Sequence, residues 1–155
     1  MGTAQRGKLY RDGSSELSRD AFREALRAAL EALAVKYKKR VSSRQHSANI
    51  DKLSKNLSAA HKNALKGGRF RIGSAQKALN LYLKFIWCLG RIEQPPHCPF
   101  DARILSKIPN CKKVKWTSLD RIDEYRRIVG EAEQKAKTEN LSLAEWEMKE
   151  YQSTK

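Results

Sequence analysis

A chain of 155 residues is long enough to bury one core and short for two. Its make-up, 32% charged and 40% hydrophobic, excludes a wholly disordered chain, because apolar residues recur throughout. The net charge of +15 favours a polyanion as partner, DNA or RNA above all.

No apolar run approaches the roughly 18 residues of a membrane span; the longest, residues 78–90, is broken by Asn80 and Lys84. The start, MGTAQRGKLYRDGSS, carries no apolar leader, so a secretory signal is not expected and the expected location is the cytoplasm. Cys88, Cys98 and Cys111 are odd in number and lack CxxC spacing, which reads as reduced thiols rather than a disulfide framework or a zinc knuckle.

In chain order, residues 1–13 read as a flexible tail and 14–152 as one domain. From Ser14 to Val41, Leu17, Phe22, Leu26, Leu30, Leu33, Tyr37 and Val41 recur at helical steps, with alanine between them. A second helix is predicted over Ser47–Lys66, placing Ile50, Leu53, Leu57, Ala60 and Ala64 on one face and stopping at Gly67–Gly68. Residues 74–89 are apolar nearly all round, which predicts a central helix with Leu83 and Trp87 buried. Pro95, Pro96 and Pro99 then impose a stiff loop.

Asp101 has the position of a cap for a short helix to about Ile108. Thr117 with Asp120 has capping spacing for a fifth helix, and Ser142 with Glu145 for a last one. Nothing alternates as a strand does. The expected fold is therefore all-α, a compact bundle of five or six helices around the one near 74–89.

The charge is uneven. Residues 1–116 hold 25 Lys and Arg against 8 Asp and Glu, whereas residues 117–155 hold 7 against 9. Lys36–Lys77 alone holds 12 basic residues and one acid, Asp51. At about 100° per residue, Arg44, Lys52, Lys55, Lys62 and Lys66 centre opposite the apolar face of the second helix, as an outward stripe without an acid. Arg69 and Arg71 in the connector, and Lys77 on the next helix, follow immediately. These eight residues are the predicted phosphate contacts, giving salt-sensitive affinity with little sequence preference. Trp116, beside Lys112, Lys113 and Lys115, is either a stacking platform for a base or a structural tryptophan.

Binding without catalysis or cofactor is the favoured function, with two alternatives: an adaptor for an acidic protein, and a nucleic-acid-processing enzyme. His97, Cys98 and Asp101 have the residue types of a nucleophile and its base, yet neighbours in sequence rarely face one another, and a rigid turn anchored by Cys98 and Phe100 is the favoured reading. No metal site is expected from His97, Cys98 and Cys111, which lack a fourth ligand. His61 falls beside the apolar face; His46 falls near the basic one.

The segments IGSAQKALNLYL (72–83) and PFDARIL (99–105) resemble the helix-hairpin-helix DNA glycosylases, where a glycine-bearing hairpin precedes a helix and an aspartate opens the next. The resemblance implies a lysine at the start of the hairpin's second helix, here Lys77, and the aspartate at Asp101. It further implies attack by the Lys77 amine through a Schiff base.

Overall fold

The structure is a computed structural model that describes residues 9–153. Six α-helices lie among the described residues: α1 (Glu16–Lys36), α2 (Ser43–Ala60), α3 (Ile72–Cys88), the single-turn α4 (Ala102–Leu105), α5 (Ile122–Thr138) and α6 (Leu143–Ser153). Short 3-10 turns stand at Lys66–Gly68 and Trp116–Ser118. No strand forms among these residues, and the all-helical expectation holds.

Helix α3 is the hub. It packs on α1, α2, α5 and the Trp116–Ser118 turn, most extensively on α2. Ala75, Leu79 and Leu83 are fully buried along it. Its C-terminal half departs from expectation, since Trp87 is only half-buried while Phe85 and Leu89 are exposed. A cleft of about 280 Å³ lies between α1 and α3, lined by Leu26, Leu30, Leu81, Tyr82 and Phe85 among others.

Helix boundaries move for identifiable reasons. Helix α1 stops at Lys36, well short of Val41, where the amide of the buried Tyr37 donates to the Ala34 carbonyl and that of Lys38 to the Val35 carbonyl. Helix α2 starts at Ser43, capped by the Ser42 hydroxyl, which accepts from the Gln45 amide at 3.1 Å. It ends at Ala60, so Lys62 and Lys66 lie beyond the helix predicted to carry them. The N-terminal segment captures that stretch of chain: Tyr10 and Leu65 form an isolated antiparallel bridge, with Arg11 N donating to Ala64 O and Lys66 N to Leu9 O. Residues 9–13, expected in the tail, are thus joined to the domain, and Leu9 is buried. Residues 1–8 of that tail lie outside the described residues. Gly67 and Gly68, at φ 64° and 71°, then make a left-handed turn that other residues adopt only with strain.

The cap expected of Thr117 with Asp120 does not form. Helix α5 starts at Ile122 after Arg121, and the Asp120 carboxylate instead takes the Arg69 guanidinium and the Ile72 amide. Two other expected caps are present. Asp101 accepts from the Ile104 amide at 2.9 Å, and Ser142 and Glu145 close a reciprocal box at 3.0 and 3.2 Å.

Between the helices runs a buried polar network. Asn49 donates to the Tyr37 hydroxyl, which stands 2.5 Å from His46 Nδ1; His46 Nε2 stands 2.6 Å from Asn80 Oδ1. Asn80 Nδ2 donates to Gln76 Oε1 and to the Tyr125 hydroxyl, and that hydroxyl stands 2.7 Å from His97 Nδ1. His97 Nε2 reaches Ser43 Oγ at 2.7 Å, and Gln76 clamps the Phe100 backbone by both its oxygen and its nitrogen. These donors and acceptors are mutually consistent when both imidazoles are neutral with the proton on Nε2. No buried side-chain polar atom lacks a partner among the described residues.

Candidate nucleic-acid interface

The eight residues expected to meet phosphate are divided among three parts of the chain. Arg44, Lys52 and Lys55 are exposed on α2, which at 18 residues is about 27 Å long. Lys62, Lys66, Arg69 and Arg71 belong to the turn-rich connector from α2 to α3, and Lys77 to α3. The charges are not equally available. Arg44, Lys52, Lys62, Lys66 and Arg71 have no carboxylate partner among the described residues. Lys55 is paired with Asp51 at 2.9 Å, which corrects the expectation of an acid-free stripe: one helical turn brings i and i+4 together.

Arg69 is a tether rather than a free cation. Its guanidinium grips Asp120 with two N–H groups at 2.7 and 3.3 Å, which raises its pKa and joins the connector to the segment before α5. Sequence spacing could not show this, because the partners are 51 residues apart.

Lys77 and Asp101, 24 residues apart, are brought together by the fold. Lys77 Nζ is 3.4 Å from Asp101 Oδ2, and the side chains are 16% and 31% exposed. The same ammonium stands 5.1 Å from the Trp116 ring centroid. Trp116 itself is only 7% exposed, so its ring serves packing and not base stacking in this conformation. The Gln76 clamp on Phe100 holds the neighbouring residue pair and fixes the approach of Lys77 to Asp101.

His97 and Cys98 do not join that pair. Cys98 is 2% exposed, and burial pushes its thiol well above the usual range, away from the reactive thiolate. Burial likewise holds the His97 imidazole well below its ordinary value, helped by its neighbour His46, whose ring centroid is 4.6 Å away. His46 is itself lowered to about 4 by burial. It is wholly buried at the centre of the network, not a donor on the basic face as its helical position implied. His61 packs edge-on against Phe22, as a boundary histidine does.

Sequence reasoning passed over Lys112, Lys113 and Lys115 as contacts in their own right. All three are exposed and without a carboxylate partner among the described residues. Among those residues no three His, Cys, Asp or Glu side chains converge as a metal site would require. No helix among the described residues is long and apolar enough to cross a membrane. Comparison with known proteins finds no matching family model, curated protein or solved structure.

Proposed function

We propose that this protein binds nucleic acid through the exposed basic residues of α2 and the α2–α3 connector. One observation carries the reading: Arg44, Lys52, Lys62, Lys66 and Arg71 are left without carboxylate partners on one continuous stretch of chain. A surface of this kind neutralises backbone phosphates and releases condensed counterions, so affinity falls steeply as salt rises. Changing Lys52, Lys55, Lys62 and Lys66 together to Gln removes four charges, keeps the helix propensity of α2 at Lys52 and Lys55, and alters Lys62 and Lys66 only at exposed connector positions. The expected result is weaker binding to fluorescein-labelled DNA and RNA, with the slope of log affinity against log salt reduced by about 0.7 to 0.9 for each phosphate no longer neutralised. A folded quadruple variant with unchanged affinity and slope would overturn the reading.

The approach of Lys77 to Asp101 favours a second reading, a nucleic-acid-processing enzyme. In it the Lys77 amine adds to the aldehyde of an abasic sugar, water leaves and an imine forms, while Asp101 orients the amine. Borohydride would then reduce the imine to a stable amine, trapping protein on an oligonucleotide that carries an abasic site. Trapping in the parent, with none in Lys77→Met, supports this chemistry. Equal trapping in both removes Lys77 from it.

A further inference from the structure

The lysines at 112, 113 and 115 arrive at the same end of the bundle as the connector, and the fold fixes them there. The Trp116 backbone lies so close to the first turn of α3 that a Cβ on Gly73 would stand 1.7 Å from the Trp116 carbonyl oxygen. The Gly73 amide donates to the Leu119 carbonyl at 2.7 Å. The Arg69–Asp120 fork and the Lys77 ammonium over the Trp116 ring add two further ties between residues 69–77 and 116–120. The lysine turn is also closed on itself, with Val114 N donating to Cys111 O at 3.1 Å and Cys111 fully buried beneath it. Lys115 is one residue from the Gly73–Trp116 contact and Arg71 is two, at about 3.8 Å per residue.

We infer that residues 112–115 are a second arm of the nucleic-acid interface, holding the phosphate backbone beside the connector 62–71 at the N-terminal end of α3. This rests on the nucleic-acid reading and extends it to a surface off the helix. Lys62, Lys66, Arg71, Lys112, Lys113 and Lys115 are all without a carboxylate partner among the described residues. They stand on two segments whose relative placement is set by the contacts above. A binder prearranged in this way loses little conformational freedom when the polyanion docks.

The partner is a phosphate backbone rather than an acidic protein, because this end of the molecule offers no apolar anchor. Protein interfaces depend on buried aromatic or aliphatic side chains at their centre. Among the described residues the large exposed hydrophobic side chains are Leu17, Val35, Phe85, Leu89 and Tyr151, none of them in 62–71 or 112–118. A polar, strongly positive surface suits nucleic acid.

The test compares Lys112→Gln/Lys113→Gln/Lys115→Gln with the quadruple variant of α2 and the connector, using short labelled oligonucleotides, single-stranded and duplex, across a salt series. The triple variant is expected to reduce the salt slope by about 0.7 to 0.9 for each phosphate it no longer neutralises. If the quadruple variant weakens binding and the triple does not, the second arm falls while the nucleic-acid reading stands. If neither changes binding, the nucleic-acid reading falls and takes the arm with it. If the triple variant loses binding to poly-glutamate but not to oligonucleotides, the surface serves an acidic protein and the inference is overturned. Acetylation footprinting of the unaltered protein gives a reading that needs no variant. Lys112, Lys113 and Lys115 should be shielded by oligonucleotide together with Lys62 and Lys66, and shielding of the latter two alone would count against the arm.

Discussion

The interior around His46 and His97 and the cationic end of α3 are both rich in polar side chains, and they treat them in opposite ways. In the interior every donor meets an acceptor: Tyr37, His46, Asn80, Tyr125 and His97 form a closed chain joining α1, α2, α3, α5 and the proline loop. At the cationic end, Lys62, Lys66, Arg71 and the lysines of 112–115 have no carboxylate among the described residues to meet. Residues with the chemistry of catalysts are therefore committed to holding the fold, and plain lysines are the ones left to meet a partner. Polar groups with complete local hydrogen bonding have little affinity left for a ligand, whereas unpaired cations of one sign on one surface repel each other until an anion arrives.

The largest expected effect lies in the interior. Asn80→Leu removes the acceptor of His46 and the donor to Tyr125 and Gln76 at once, leaving buried polar groups without partners. It should destabilise the protein by about 3 to 5 kcal/mol in urea titration, since each orphaned group costs about 1 to 3 kcal/mol. A loss below about 1 kcal/mol would mean that water or a side-chain shift replaces the missing partners. The network would then not be the closed unit described. Salt-dependent binding by the surviving folded fraction should be unchanged.

The second test is pH. Free histidine titrates near 6.5, and the folded protein holds His46 near 4 and His97 well below its usual value. Above the unfolded pKa both states carry neutral imidazoles, and these residues add no pH dependence. As pH falls below about 6.5 the unfolded chain takes up protons that the folded one refuses, so stability declines until the folded pKa is reached. His46 alone accounts for up to about 3 kcal/mol of that decline. Glu147 and Glu133, raised by burial, act in the opposite sense as they protonate earlier in the folded state. The net expectation is a fall in urea midpoint between pH 6.5 and 5, and a flat profile there would show the two imidazoles to be more solvated than the structure has them.

Much of the fold was legible because helical periodicity is a local property. Ile50, Leu53 and Leu57 on α2, and Leu79 and Leu83 on α3, are buried as their spacing implied. What could not be read were partnerships between distant segments. His46 looked like a surface residue because Asn80, its Nε2 partner, lies 34 positions away, and Asp120 looked like a local cap because Arg69 is 51 positions away. The site was legible in composition and not in its details. The charge surplus over residues 36–77 was plain, but which cations are neutralised depends on where Asp51, Asp101 and Asp120 fall in space. No pattern of spacing brings Lys77 to Asp101, which lies 24 positions away.

A milder test of the same contrast is Cys98→Ala. The thiol is buried and protonated, so the substitution should cost about 1 to 2 kcal/mol for a small buried group. Oligonucleotide binding and any borohydride trapping should persist. Loss of trapping with the fold intact would return Cys98 to the candidate site.

The smallest effect separates two lysines three residues apart on α2. Lys52 and Lys55 are both exposed, but Lys55 is paired with Asp51 at 2.9 Å. Lys52 follows Asp51 directly in sequence, and adjacent residues on a helix do not face each other. A phosphate approaching Lys55 must displace the carboxylate or tolerate its negative charge, whereas at Lys52 it meets a free ammonium. Lys52→Gln should therefore lower the salt slope by about 0.7 to 0.9, the value for one neutralised phosphate, and Lys55→Gln by less. Asp51→Asn should act in the reverse direction, strengthening binding and steepening the slope, because it frees Lys55 and removes a repulsive charge. Equal losses from the two Gln variants, with no gain from Asp51→Asn, would mean that the polyanion senses only the summed field of the surface and that pairing at a single residue does not decide where it binds.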